Sequence, residues 1–158
     1  MIFKEYRNFF NLQECNKLIE RFRQQVCFHE RYRDTIVLKL LNQTFPKLTD
    51  VLKKDFNILL NYGQIVYWPP FSHMDCHYDF TIENKDVFTS ICYLNDDFEG
   101  GEFDLEIYKP GEQQRYVTIH PKVNSAVFFL ADQWHRVRPV TAGHRKSLVA
   151  WFYGPPYA

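Results

Sequence analysis

The sequence predicts a mainly β domain with N-terminal helices, its strands folded as a jelly roll. Three observations lead there. From Ile58 onward the apolar pattern switches from helical spacing to strand-like alternation and stays so to the end. That part divides into eight strand-like segments separated by turn signals, and eight antiparallel strands with few helices suit two facing sheets whose mouth can hold a ligand. Aromatic residues make up 18% of the chain, with 15 Phe and 10 Tyr, an excess that suits strands better than a helical bundle. With 158 residues and no repeat, low-complexity tract or linker, the chain reads as one domain with a full core. Its helical part spans 1–57 and its jelly-roll core 58–158.

The elements follow in order. Asn11 to Gln24 reads as a helix: Asn11 caps it, Glu14 completes a capping-box-like pair, and Leu12, Cys15, Leu18, Ile19 and Phe22 share one face. Cys27 to Arg33 is polar and aromatic, a loop or short strand. Thr35 to Phe45 is a second helix stopped by Pro46, and Lys47 to Asp55 continues helically. The predicted strands are Gly63–Trp68, Cys76–Phe80, Val87–Asn95, Gly101–Lys109, Tyr116–His120, Ala126–Ala131, Arg136–Val140 and Lys146–Gly154. Asp96 to Gly101 and Lys109-Pro110-Gly111 supply turns, and Trp68-Pro69-Pro70-Phe71-Ser72 supplies a loop.

Composition narrows the function. The formal net charge is +0, so no general polyanion-binding surface is signalled and nucleic acid is not an expected partner. No apolar run approaches the roughly 18–20 residues of a membrane span, and the N-terminus lacks the apolar stretch of a signal peptide. The four cysteines, Cys15, Cys27, Cys76 and Cys92, form no CxxC pair. A reduced, cytoplasmic setting is the expectation.

The chemistry concentrates in Gln64 to Phe80 and Trp134 to Trp151. His77 and Asp79 are two apart, and in an extended strand such residues face the same side with Cα atoms roughly 6.6–6.8 Å apart. His73 and Asp75 repeat the spacing just upstream, and spacing alone does not choose between the pairs. His120, His135 and His144 are candidates for a further imidazole. His120 precedes Pro121 at a strand end and reads as a turn residue. Two histidines, one carboxylate and open positions make a site suited to non-haem Fe(II). Cys76 would face away from His77 on a strand and reads as a small packed residue.

Taken together, Tyr67 ten residues before His77, His77-x-Asp79, Ile91 to Asn95, Gly100-Gly101-Glu102-Phe103, and His135-x-Val-x-Pro139-Val140-x-x-Gly143-x-Arg145 run in order along the chain. In these pieces it resembles the Fe(II)/2-oxoglutarate-dependent dioxygenases, and among them the prolyl 4-hydroxylase-like branch. The resemblance covers nearly the whole chain and implies the cupin-like, double-stranded β-helix form of the jelly roll. It also implies His77, Asp79 and His135 as ligands of Fe(II). Arg145 then meets the far carboxylate of 2-oxoglutarate, a group that a planar guanidinium fork holds well. Tyr67 and Tyr93 resemble the tyrosines that help hold this cosubstrate. Lys146 neighbours Arg145, but adjacent strand residues face opposite sides.

The implied reaction consumes O2 and 2-oxoglutarate, releases succinate and CO2, and hydroxylates an unactivated C–H bond, with ascorbate a candidate reductant. A prolyl residue in a peptide or protein is the leading substrate, with Trp68, His73, Asp75, Tyr78 and Trp134 on the substrate side. Pro69-Pro70 stands where many relatives carry Pro-Gly, which stiffens the entrance loop. A free amino acid or other small metabolite is the alternative substrate, and a non-catalytic jelly-roll binding module the alternative class.

Overall fold

Residues 3–9, 11–22, 59–79, 86–107 and 111–154 are described by the computed structural model of the chain. The predicted helices Thr35–Phe45 and Lys47–Asp55, the segment Cys27–Arg33, and most of the stretch from Thr81 to Asp86 at the expected mouth lie outside the described residues.

The chain begins with β1 (Phe3–Tyr6), then α1 (Leu12–Phe22), and continues with β2 (Leu59–Trp68), β3 (Met74–His77), β4 (Asp86–Tyr93), β5 (Glu99–Gly100) and β6 (Phe103–Ile107). It ends with β7 (Arg115–Ile119), β8 (Ala126–Leu130), β9 (His135–Val137), β10 (Val140–Ala142) and β11 (Arg145–Tyr153). One sheet has the order β1-β8-β4-β11-β2 and the second β3-β9-β6-β7, while β10 pairs with β5 alone. Every pairing is antiparallel. Two antiparallel sheets built by crossovers are the jelly roll that the strand pattern predicts. Among the described residues no helix is long and apolar enough to cross a membrane.

Helix α1 starts as its sequence dictates. The Glu14 amide donates to Asn11 Oδ1 at 2.8 Å, and the Asn11 side-chain amide reaches Glu14 Oε1 at 3.3 Å. The helix lays Cys15 and Ile19 on the outer face of the five-stranded sheet, where Ile65, Cys92, Phe128, Leu148, Ala150 and Phe152 form one core. Tyr6 adds an edge-on ring contact to Phe128 at 5.2 Å. Strand β1 was not predicted. It is held by pairing with the distant β8, which no local pattern announces.

Two further departures have local causes. The predicted strand Arg136–Val140 is split into β9 and β10 because Pro139 has no N–H to continue a ladder. Around it the Arg138 amide donates to the Glu102 carbonyl at 2.9 Å and the Val140 amide to the Ser72 carbonyl at 3.0 Å. The predicted turn Asp96 to Gly101 contains the short strand β5. Gly100 makes this possible: its φ is +77°, and a Cβ there would lie 2.3 Å from the Pro139 carbonyl oxygen, so only glycine lets the backbones approach this closely.

On the outer face of the four-stranded sheet, Asp104 joins three strands. It accepts from Arg136 Nε at 2.7 Å, Arg138 Nε at 2.8 Å and Thr118 Oγ1 at 2.7 Å. Burial alone would raise the Asp104 pKa, but hydrogen bonds from Arg138, Thr118 and Arg136 outweigh it and pull it down to about 2. A lowered carboxylate pKa contributes stability at pH values above the unfolded pKa, and that stability is lost as pH falls through the folded one. Asp104→Ala is expected to cost about 2–3 kcal/mol at neutral pH, a fall in Tm of about 5–10 °C. Thermal melts at neutral pH and near pH 2 check this, because the difference between the two proteins should shrink at the acid end. An equal difference at both would assign the loss to packing instead.

Candidate active site

The inner face of the five-stranded sheet is set by register. Arg145 stands opposite Trp68, Ser147 opposite Val66 and Tyr93, Val149 opposite Ile91, and Trp151 opposite Thr89. Facing partners share a side of the sheet, so these residues form one wall. Phe103 and Leu105 of β6 and Val137 of β9 cover it from the second sheet. Between the sheets lies a cleft of about 630 Å³ including its open mouth. His77, Asp79, Thr89, His135, Arg145 and Trp151 line it among apolar walls.

The sequence-predicted triad converges in this cleft. His77 of β3 pairs with His135 of β9, and their rings lie 4.2 Å apart. Asp79 arrives by a route different from the expected one. The strand predicted as Cys76–Phe80 ends at His77, and Asp79 lies beyond it, its amide donating to the Ala131 carbonyl at 2.9 Å. A bend fixed by that bond, rather than strand alternation, aims the carboxylate.

Proton placement follows from the surroundings. His77 Nδ1 lies 2.7 Å from the Asp75 carbonyl and His135 Nδ1 2.8 Å from the Gln133 carbonyl. A carbonyl only accepts, so each Nδ1 carries the proton and each Nε2 presents a lone pair. Both Nε2 atoms face Asp79 Oδ1 at 3.3 Å. Lone pairs converging on a carboxylate oxygen repel unless a cation sits among them, and the donor atoms of the three residues all lie within 4.8 Å of one another. Asp79 is buried, and Thr89 Oγ1 donates to its Oδ2 at 2.7 Å, a bond that favours the ionised carboxylate. The set fits a divalent metal with nitrogen and oxygen ligands.

Arg145 is 1% exposed. Its Nε donates to the Gly101 carbonyl and its Nη1 to Ser147 Oγ, each at 3.2 Å. The guanidinium carbon lies 5.1 Å from the centre of the Trp68 ring and 5.3 Å from that of Tyr93. Among the described residues, neither Nη2 nor the buried Tyr93 hydroxyl has a hydrogen-bond partner. Among the described residues no carboxylate pairs with this buried cation. Burial pulls its pKa below the usual guanidinium value, with Tyr93 partly opposing. A charge held this way calls for an anion. A dicarboxylate chelating a metal at the triad and meeting Nη2 and the Tyr93 hydroxyl at its other end fits the groups present.

Other predicted residues are placed elsewhere. Tyr67, expected to help hold a cosubstrate, is on the opposite face of β2 from Val66 and Trp68, and its hydroxyl donates to the Ile19 carbonyl of α1 at 3.1 Å. The register that sets Trp68 against Arg145 turns Tyr67 away, so Trp68 occupies the cleft in its place. Lys146 also points outward, on the face of β11 opposite Arg145, its Nζ 5.6 Å from the Tyr67 ring centre. His73 and Asp75 face each other at 3.3 Å on the surface, with side chains 50% and 93% exposed. Tyr78 and Trp134 stack edge to face at 4.5 Å. His120 and His144 are exposed.

Sequence analysis assigns no chemical role to Thr89 or Trp151. Both donate to Asp79 Oδ2, Thr89 Oγ1 at 2.7 Å and Trp151 Nε1 at 3.2 Å. For Trp151 a signal existed: it stands six residues after Arg145 in one strand, an even offset that puts both on one face. Gly101 was recognised as motif but not explained. Its φ is +67°, and a Cβ there would lie 2.9 Å from Arg145 Cδ. Gly101→Ala is therefore expected to push the guanidinium aside and weaken dicarboxylate binding about tenfold, or about 1.4 kcal/mol. Titrating 2-oxoglutarate into the metal-loaded variant measures it, with metal affinity unchanged as the control.

Fold and site together define a jelly roll that joins a metal-binding triad to a buried anion-binding arginine. The 2OG-Fe(II) oxygenase superfamily profile matches residues 60–153, more than half of the chain, and the chain belongs to that superfamily. Fe(II) is accordingly its metal and 2-oxoglutarate its cosubstrate. Sequence comparison with curated proteins gives no match. Among solved structures, a Pseudomonas putida prolyl-4-hydroxylase is similar at 17% identity and a TM-score of 0.67, covering 97% of this chain and 85% of that one. The viral collagen prolyl hydroxylase from Paramecium Bursaria Chlorella virus-1, in complex with 2OG, is similar at 19% identity and a TM-score of 0.67, covering 98% and 96%. These likenesses show a shared fold.

Proposed function

We propose that the cleft is the active site of a hydroxylase acting on a prolyl residue of a peptide or protein. In this reading His77, Asp79 and His135 hold Fe(II), while Arg145 and Tyr93 hold the far carboxylate of 2-oxoglutarate. The observation that carries it is the buried Arg145, paired with no carboxylate among the described residues and lining the same cleft as the triad. With O2, the metal and cosubstrate supply the oxidising chemistry, one oxygen atom entering succinate and the other the substrate C–H bond. The protein's share is placement. The two Nδ1–H bonds to backbone carbonyls keep both imidazoles neutral and aimed at the metal position. The guanidinium fixes the cosubstrate's direction, and Phe103, Phe129, Val137 and Ile91 keep water away from the reacting atoms.

The prolyl assignment draws on the shared fold and on the site's surroundings. Apart from the triad, Arg145 and Thr89, the described lining is apolar or aromatic, which suits a pyrrolidine ring. The exposed Phe71 and the Tyr78–Trp134 pair offer aromatic surface to a chain in extended conformation. The test is incubation of the Fe(II)-loaded protein with 2-oxoglutarate and O2 against proline-containing peptides and free amino acids. Succinate release with one oxygen atom gained by a peptide is expected. Oxygen gained by a free amino acid alone would move the substrate to the small-molecule class.

A further inference from the structure

We infer that Asn95 is a positioning residue for the cosubstrate end of the cleft, its side chain fixing the backbone on both sides of Arg145. The inference rests on reading Arg145 as the group that meets the far carboxylate of 2-oxoglutarate. Arg145 is the first residue of β11, and a turn through Gly143, whose φ is +74°, separates it from the end of β10. A strand end next to such a turn frays readily unless something holds it. Asn95, just past the end of β4, does so. Its Nδ2 donates to the His144 carbonyl at 2.8 Å, and its Oδ1 accepts from the Lys146 amide at 2.8 Å. The His144 carbonyl belongs to the peptide plane before Arg145, and the Lys146 amide to the plane after it. Peptide planes are rigid, so holding both sets φ and ψ of the residue between them.

The clasp is itself anchored. Nδ2 also donates to Asp97 Oδ1 at 2.6 Å, and the Leu94 amide donates to the Lys146 carbonyl at 3.0 Å. A Cβ on Gly143 would lie 2.9 Å from the Asp97 carbonyl oxygen and 3.1 Å from Phe98 Cα. Glycine therefore lets the turn before Arg145 close against the segment that carries Asn95. Inside the cleft the guanidinium is held by two bonds of 3.2 Å, which fix the head of a long side chain but not its Cα. The grip on the backbone supplies the rest. Asn95 does not line the cleft, so it acts through Arg145.

The experiment loads wild type, Asn95→Ala, Gly143→Ala and Arg145→Ala with Mn(II) without O2 and measures their affinities for 2-oxoglutarate and 2-oxobutyrate by calorimetry. 2-Oxobutyrate keeps the 2-oxo acid end and lacks the far carboxylate. Loss of a residue that only supports the fold weakens both acids together, whereas loss of one that aims Arg145 weakens 2-oxoglutarate alone. Circular dichroism and melting establish which variants fold. In Asn95→Ala the Kd for 2-oxoglutarate is expected to rise about tenfold, the size of losing one or two hydrogen bonds. The Kd values for 2-oxobutyrate and for Mn(II) should stay unchanged. Gly143→Ala disturbs the same clasp from the turn side and should lower the preference for 2-oxoglutarate in the same way; it decides the matter if Asn95→Ala does not fold. A wild-type preference for 2-oxoglutarate, or an equal weakening of both acids, would overturn the inference. An undiminished preference in Arg145→Ala would overturn the reading on which it rests, and the inference with it.

Discussion

Arg145→Ala should bind Fe(II) nearly as the wild type does and lose 2-oxoglutarate. The guanidinium is fully enclosed, holds one bond each to Gly101 and Ser147, and keeps Nη2 unsatisfied. Breaking a buried ion pair by removing one partner costs about 3–5 kcal/mol, or roughly two to four decades in affinity. Calorimetric titration of 2-oxoglutarate into the metal-loaded variant measures this directly. Arg145→Lys should recover only part of the loss, because a point charge cannot reproduce the two parallel bonds of the fork. An unchanged 2-oxoglutarate affinity in Arg145→Ala would remove the anion site from this end of the cleft.

His135→Ala should abolish turnover by a different route. This histidine is buried, and its orientation is fixed by the Gln133 carbonyl and by contact with the Phe103 and Phe129 rings at 5.5 and 4.8 Å. Removing an outer partner of a metal ligand costs about 10–100-fold, so removing the ligand should exceed roughly 100-fold in both metal affinity and 2-oxoglutarate consumption. Succinate release measured at saturating Fe(II) is the check. Near-normal release would place the third ligand elsewhere.

Most of the site's composition was legible in the sequence because its spacings are short and local. His77-x-Asp79 and the run from His135 to Arg145 name the residues that the structure brings into one cleft. The competing pair His73 and Asp75 could not be set aside by spacing, and only the fold shows it facing itself on the surface. Tyr67 shows where local reading fails. Which of two adjacent strand residues faces inward depends on pairing between β2 and β11, a contact across about half of the chain. A slip of one residue would have reversed Tyr67 and Trp68. Asp79 reaches the cleft through a backbone bond to Ala131 rather than through the expected strand alternation. Thr89 was out of reach altogether, since nothing near it in sequence indicates that it meets a carboxylate ten residues upstream. In the fold, the β-rich second half was readable from alternation and turns. Strand β1 was not, because it is made by pairing with β8 rather than by its own composition.

In the proposed function one cleft holds a metal at its triad and a dicarboxylate at its arginine. A crystal structure of the protein grown with Mn(II) and 2-oxoglutarate without O2 tests it most directly. An anomalous peak is expected among His77 Nε2, Asp79 Oδ1 and His135 Nε2, with density for the cosubstrate running from it to Arg145 and the Tyr93 hydroxyl. A peak between His73 and Asp75, or a cosubstrate whose far carboxylate lies away from Arg145, would contradict it.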